Sequence, residues 1–349
     1  MKKNEELLRT IEMNHGIVSM IDQNKLPFEF KIVQSYTYSE TCQHIKRMTV
    51  RGAGAIGAAA GFAMAQAFLQ AKSENFETYI IAARKEIEQT RPTAKNLFYA
   101  VEKVYKAGLI SHEKALEKAQ QLAHEDEEAC YNIGYYGNEI ISQKANIATH
   151  CNAGSLAFVR FGTALAPIYR AFAQQKEVHI WVDETRPRNQ GARLTAWELS
   201  QANIPHTIIA DNATAFLIQQ RKIDMVIVGA DRIAANGATA NKIGTLEKAL
   251  AAKYFNIPFY VAAPSSTFDI DCKIGDDIPI EYRSEDEVLW ISGQNKTGLS
   301  CEISTSNPGS KACNPAFDIT PAELITGFIT EKGIIKPNRA AIGKLLLNI

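Results

Sequence analysis

Residues Met225-Val226-Ile227-Val228-Gly229-Ala230-Asp231-Arg232 carry the reading that sets the fold class. Four apolar residues in a row, three of them β-branched, are the pattern of a strand buried on both faces. Similar short apolar runs recur at 147–149, 178–182, 207–210 and 258–262, with helical stretches between them. Strand, polar loop and helix in repetition predict a parallel sheet covered by helices. Ligands of such sheets bind beyond the carboxyl ends of the strands, where crossover helices begin with unpaired N–H groups. Asp231 is a lone carboxylate at that edge, and Asn236, Gly237, Asn241 and Lys242 are expected in the loop beyond it.

Before this repeat the chain reads differently. Residues 17–21 and 28–33 form apolar runs joined across Asn24-Lys25-Leu26-Pro27, a possible hairpin. Helical spacing dominates 55–71, 76–89, 93–107 and most of 112–142. The expectation is an α/β protein: residues 1–145 as a mainly helical N-terminal domain with a small β element, then 146–349 as a Rossmann-like parallel-sheet domain. Residues 280–314, rich in Gly, Ser, Asn and Thr, are expected to be irregular, with a last helix after Pro321.

Composition narrows the function. The 349 residues are 46% hydrophobic and 22% charged, with Lys plus Arg and Asp plus Glu equal at 38 each. Neither sign is blocked into runs, which argues against a nucleic-acid or membrane surface and for a small-molecule partner. The start, Met1 to Glu6, has no apolar signal core, and no apolar run approaches the ~20 residues that cross a bilayer, so a cytoplasmic address is expected. The six cysteines lack CxxC pairs and the seven histidines lack metal-clamp spacing; reduced thiols, no metal and no cofactor are expected.

Four segments can carry chemistry. Gly52-Ala53-Gly54-Ala55-Ile56-Gly57 fits GxGxxG, but a helical stretch precedes it and no acidic residue closes a second strand, so a dinucleotide site is disfavoured. A phosphate cradle beside Arg51 and a tight packing junction both remain open. His150-Cys151-Asn152 leaves the 147–149 strand ahead of an expected long helix, which puts a thiol near a helix N-terminus; a buried structural cysteine is the alternative. The loop from Asp183 through Arg186, Arg188, Gln190 and Arg193 suits phosphate and sugar hydroxyls, or internal ion pairs. Asp231 itself is either a helix N-cap or a desolvated acid that keeps its proton for donation.

Together, Arg51-Gly52-Ala53 with Ala55-Ile56-Gly57, His150-Cys151-Asn152, the Asp183-to-Leu199 loop and Gly229 through Gly244 resemble the methylthioribose-1-phosphate isomerase family. Its members are relatives of the regulatory subunits of translation initiation factor 2B. The resemblance extends to Asn314-Pro315-Ala316-Phe317-Asp318 and Glu331-Lys332-Gly333. It implies Cys151 and Asp231 as the catalytic pair. Arg51, Gly52, Ala53, Arg91, Gln190, Asn241 and Lys242 would surround a phosphorylated sugar, and the protein would be a homodimer. It also implies an aldose-ketose isomerase of 5-methylthioribose 1-phosphate; 5-deoxyribose 1-phosphate is an alternative substrate, and a non-enzymatic regulatory subunit is the alternative of another class. The family usually has proline where this chain has Gly54, and residues 293–313 are longer and more polar than in common members.

Overall fold

The protein is described by a computed structural model covering residues 9–92 and 94–347; Met1 to Glu6 and the expected helix start at Thr93 lie outside the described residues. Strands β1 (Ile11–Asn14), β2 (Ile17–Ile21) and β3 (Ile32–Ser35) form an antiparallel meander. The β1–β2 turn is His15-Gly16, both at positive φ, the geometry that matches strand twist in two-residue hairpins. The β2–β3 hairpin follows the expectation, but its second strand starts only at Ile32, because residues 23–28 are taken up by turns; β1 escapes the sequence reading, because four residues carry too little alternation to register.

Helices α1 (Tyr38–Lys46), α2 (Ala53–Gln70), α3 (Phe76–Glu88), α4 (Lys95–Gly108) and α5 (His112–Asn138) follow. A capping box between Thr37 and Glu40 starts α1. Helix α2 is buried from Gly54 to Phe68, and its alanines and glycines let α1, α4 and α5 pack around it. By length and composition it would pass for a membrane span, contrary to the expectation of no such run; it is the core helix of this half instead.

The remainder contains β4 (Lys144–Thr149), α6 (Ala166–Ala173), β5 (Glu177–Asp183), α7 (Ala196–Gln201), β6 (His206–Ile209), α8 (Thr214–Gln219), β7 (Met225–Val228), β8 (Arg232–Ala234), β9 (Thr239–Lys242), α9 (Thr245–Tyr254), β10 (Phe259–Ala262) and β11 (Phe268–Asp269). It closes with α10 (Asp286–Leu289), β12 (Trp290–Gln294), β13 (Ser300–Ser304), β14 (Phe317–Thr320), β15 (Gly327–Thr330), β16 (Gly333–Ile335) and α11 (Arg339–Leu347). A seven-stranded sheet has the order β16-β15-β10-β7-β4-β5-β6, all neighbours parallel except the edge strand β16. Winding runs outward from β4 to β6, returns across the sheet to β7, and runs outward again to β15. The carboxyl ends of β4 and β7 therefore flank the point where the winding reverses, where a crevice opens.

Two expectations are corrected here. Residues 280–314 hold α10 and the β12–β13 hairpin; it is largely exposed on both faces, so no hydrophobic alternation marks it. After Pro321 come a short 3-10 turn and strands β15 and β16, and the last helix starts only at Arg339.

Gly54 is packed rather than flexible. An added Cβ would lie 2.3 Å from Asp126 Oδ1 and 2.4 Å from Phe158 Cδ1, so the space a proline ring needs is filled. Gly54→Ala should lower stability by about 1–3 kcal/mol, read as a lower urea midpoint. Asp126 accepts from Val159 N at 2.8 Å, and burial pushes its carboxyl up to about 7. A raised folded-state pKa favours the neutral acid, so its stabilisation is full below the ordinary carboxylate range and is lost as pH rises through about 7. Asp126→Asn should flatten the decline in stability between about pH 4 and about pH 7; the same slope in both proteins would refute this.

Candidate active site

The chain leaves β4 through His150-Cys151-Asn152, and Cys151 adopts φ +66°, a left-handed backbone uncommon for a residue with a side chain. Two threonines hold it there. Its N–H donates to Thr185 Oγ1 at 2.8 Å, and its carbonyl accepts from Thr195 Oγ1 at 2.7 Å. The long helix expected after Cys151 is absent: a single 3-10 turn, Ser155–Ala157, precedes α6. Side chains take the N–H groups that a helix would direct to its own carbonyls. Glu198 accepts from Ser155 N at 2.6 Å and Leu156 N at 3.3 Å, and Asp126 accepts from Val159 N. The thiol thus sits near cationic side chains, not at a helix N-terminus.

Beyond β7 the chain forms the β8–β9 hairpin, so Asn241 and Lys242 lie on a strand and not in the expected loop. Asp231 N donates to Ala240 O at 2.9 Å, which brings Asn241-Lys242 beside Asp231 through antiparallel pairing. Asn236 and Gly237 form the far turn, where Gly237 packs against Pro337. The N-cap reading of Asp231 is excluded, since the next helix, α9, starts after Gly244.

Asp231 is exposed to the cleft, so it is desolvated by the protein packed around the cleft rather than by being covered itself. Burial raises its pKa, opposed by the positive charges of Lys242, Arg283, Arg91 and Arg51. Lys242 is buried, donates from Nζ to Ala316 O at 2.7 Å, and lies 4.7 Å from the centre of the Phe317 ring. Burial pushes its amine down to about 8; Arg283 and Arg51 push the same way, against Cys151 and Asp231.

One cleft is lined by all nine residues that the family resemblance implies: Arg51, Gly52, Ala53, Arg91, Cys151, Gln190, Asp231, Asn241 and Lys242. Gly52, at φ +91°, has Ala157 Cα 2.4 Å from where a Cβ would stand. The GxGxxG segment follows α1 and a turn rather than a strand, so its glycines serve close packing and the cleft wall. Arg51 Nη2 donates to Asn152 Oδ1 at 2.6 Å, while Arg51 Nε, Gln190 Oε1 and Thr163 Oγ1 are buried without a partner among the described residues. Unsatisfied buried polar atoms are costly, and three in the wall of one cleft call for a polar ligand.

Arg283, Thr163, Asn96 and Phe317 also line the cleft and were missed. Arg283 lies in the segment that reads as irregular, and Thr163 in the expected helix; neither has a local motif. Of the charged loop after β5, only Gln190 reaches the cleft. Asp183 turns inward to His150 Nδ1 at 2.9 Å and Thr214 Oγ1 at 2.6 Å, with Lys248 Nζ 3.5 Å away. Arg186 donates to Val288 O, Arg188 pairs with Glu287 at 2.8 Å, and Arg193 donates to Leu26 O. These arginines brace the loop, so of the two readings open for it the internal pairing holds for them.

A model of the Initiation factor 2 subunit family matches residues 49–337. The methylthioribose-1-phosphate isomerase of Chloroflexus aurantiacus is 45% identical over 341 residues, covering 95% of this chain and 96% of that protein. The crystal structure of 5-methylthioribose 1-phosphate isomerase from Pyrococcus horikoshii OT3 aligns with TM-score 0.88 at 42% identity, over 100% of this chain and 98% of the other. Translation initiation factor eIF-2B subunit delta from A. fulgidus aligns with TM-score 0.84 at 38% identity, over 97% and 99%.

The cleft electrostatics are directly measurable. In the ligand-free protein Lys242 should titrate near 8 by 13C NMR of its Cε. Asp231→Asn removes a negative neighbour and should move that titration lower, whereas inorganic phosphate should move it higher. An ordinary lysine titration would overturn this account.

Proposed function

The chain belongs to the Initiation factor 2 subunit family, and from that premise we propose that its cleft converts 5-methylthioribose 1-phosphate to 5-methylthioribulose 1-phosphate as an aldose-ketose isomerase. The observation that carries this is the meeting of Cys151 and Asp231, from the ends of adjacent strands, in a cleft with Arg51, Arg91, Lys242 and Arg283. Relatives with this printed activity cover nearly the whole chain.

Phosphate on the anomeric oxygen prevents the sugar from opening unaided. Asp231, its pKa raised by burial, gives its proton to the ring oxygen as the bond from that oxygen to C1 breaks. Hydrogen then moves from C2 to C1, either as a proton taken and returned by Cys151 or as a hydride beside it. The C2 hydroxyl loses its proton as the ketone forms, which balances the proton that Asp231 gave. Arg51, the Gly52-Ala53 backbone at the start of α2, Arg91, Gln190, Asn241 and Lys242 hold the phosphate and hydroxyls. The cationic excess around the single Asp231 carboxylate suits one phosphate.

A regulatory subunit without catalysis is the rival, because the A. fulgidus protein shares the fold. Retention of Cys151, Asp231 and Asn241-Lys242 in one cleft supports the enzyme. We further read the chain as two domains meeting near residue 145, the second Rossmann-like, and the active form as a homodimer in the cytoplasm; sedimentation tests the dimer.

The deciding assay is ketose formation from 5-methylthioribose 1-phosphate, with 5-deoxyribose 1-phosphate in competition. The methylthio sugar should win in kcat/KM by about 10- to 200-fold, the range that one apolar substituent supplies. Cys151→Ser and Asp231→Asn should each reduce kcat by orders of magnitude with substrate binding retained, and near-normal turnover in either would sink the assigned roles. Deuterium from solvent at C1 of the product marks the proton route, and its complete absence favours the hydride route.

A further inference from the structure

Glu198, on α7, is a buried carboxylate outside the cleft lining. Its Oε1 accepts from Asn152 Nδ2 at 2.7 Å and from Leu156 N at 3.3 Å, and its Oε2 accepts from Ser155 N at 2.6 Å and from the Tyr169 hydroxyl at 2.8 Å. Asn152 Nδ2 also donates to Thr195 Oγ1 at 3.1 Å. With both amide hydrogens committed to that side, Asn152 must present Oδ1 to the other, where Arg51 Nη2 donates to it at 2.6 Å. Arg51 Nε is left buried and without a protein partner among the described residues, in the wall of the cleft.

We propose that Glu198 is a positioning residue for anion binding: its carboxylate fixes the orientation of the Asn152 amide, and Asn152 in turn aims the Arg51 guanidinium at the substrate phosphate. This rests on the reading of the cleft as a sugar-phosphate site. Glu198 touches no reacting atom and acts only through the two residues between it and the ligand. The direction of each hydrogen bond carries the information. Backbone N–H groups of Ser155 and Leu156 can only donate, so the acceptor must be Glu198, and Asn152 has no choice of face while that acceptor is a carboxylate. Burial pushes the Glu198 pKa up, while Asn152, Tyr169, Leu156 and Ser155 pull it down as donors to the ionised form.

The test is Glu198→Gln, which keeps shape but turns one oxygen into an NH2 group. Ser155 N at 2.6 Å and Leu156 N at 3.3 Å cannot reverse their roles, whereas Asn152 can; the long Leu156 bond is the weaker one to lose, so the new NH2 settles on the side of Asn152 and turns its amide over. Nδ2 of Asn152 then meets Arg51 Nη2, donor against donor. In this variant KM for 5-methylthioribose 1-phosphate should rise about tenfold or more while kcat changes less, and its crystal structure should show the Arg51 guanidinium displaced from Asn152. Adding Asn152→Asp supplies an acceptor to both neighbours and should return KM towards the wild-type value. A wild-type KM with Arg51 unmoved in Glu198→Gln, or a double variant no better than the single one, overturns the proposal. Should Glu198→Gln fail to fold, Asn152→Leu cuts the same chain at its middle and must show the same rise in KM; an unchanged KM there overturns it equally. If the wild-type protein turns over no methylthioribose phosphate, the functional reading fails, while the crystallographic position of Arg51 in these variants still tests the relay.

Discussion

A parallel sheet wound outward in both directions from one strand cannot cover the place where the winding reverses, because the crossover helices diverge there. In this protein that place lies between β4 and β7. The uncovered carboxyl ends of these two strands supply Cys151 and Asp231, and the helical half supplies the facing wall through Arg51, Gly52, Ala53 and Arg91. Everything chemical in the molecule follows from this constraint. The apolar strands bury the sheet and deliver polar residues only at their ends.

Electrostatics of the cleft come from burial more than from any one pair. Arg51, Arg91, Lys242 and Arg283 surround Asp231, and the environment that makes it harder for Asp231 to ionise also makes it harder for Lys242 to stay charged. Each charge is tolerated because the others are present. A bound phosphate would offset the cations around Asp231.

Much of the polar framework outside the cleft serves to hold loops in shapes that backbone hydrogen bonding alone would not give. Glu198 and Asp126 replace helical carbonyls for residues 155–159. Asp183 gathers His150, Thr214 and Lys248 below the loop that begins with it, and Arg188 and Arg193 brace that loop from outside. A segment whose N–H groups are taken by distant carboxylates looks, in one dimension, like a helix that should have formed. For that reason the stretch after Cys151, with Thr163 in it, reads as helical in one dimension and is not.

The amino-acid sequence by itself determined the α/β class, five of the seven strands of the main sheet with most of their limits, and the two strand ends that hold Cys151 and Asp231. These depend on apolar periodicity and on chain direction, which are local. Through its resemblance to a known family it also pointed to nine of the residues that line the cleft, eight of them in contiguous motifs and Arg91 outside any of them. Only the tertiary structure decided that Asn241-Lys242 reach Asp231 by hairpin pairing, that Arg283 completes the cationic wall, that Gly54 is a packing glycine against Asp126, and that Glu198 governs Asn152. Each of these joins residues far apart in the chain or depends on which face of a strand or amide is turned inward, and a hydrogen bond between distant residues leaves no periodic trace in either of its partners.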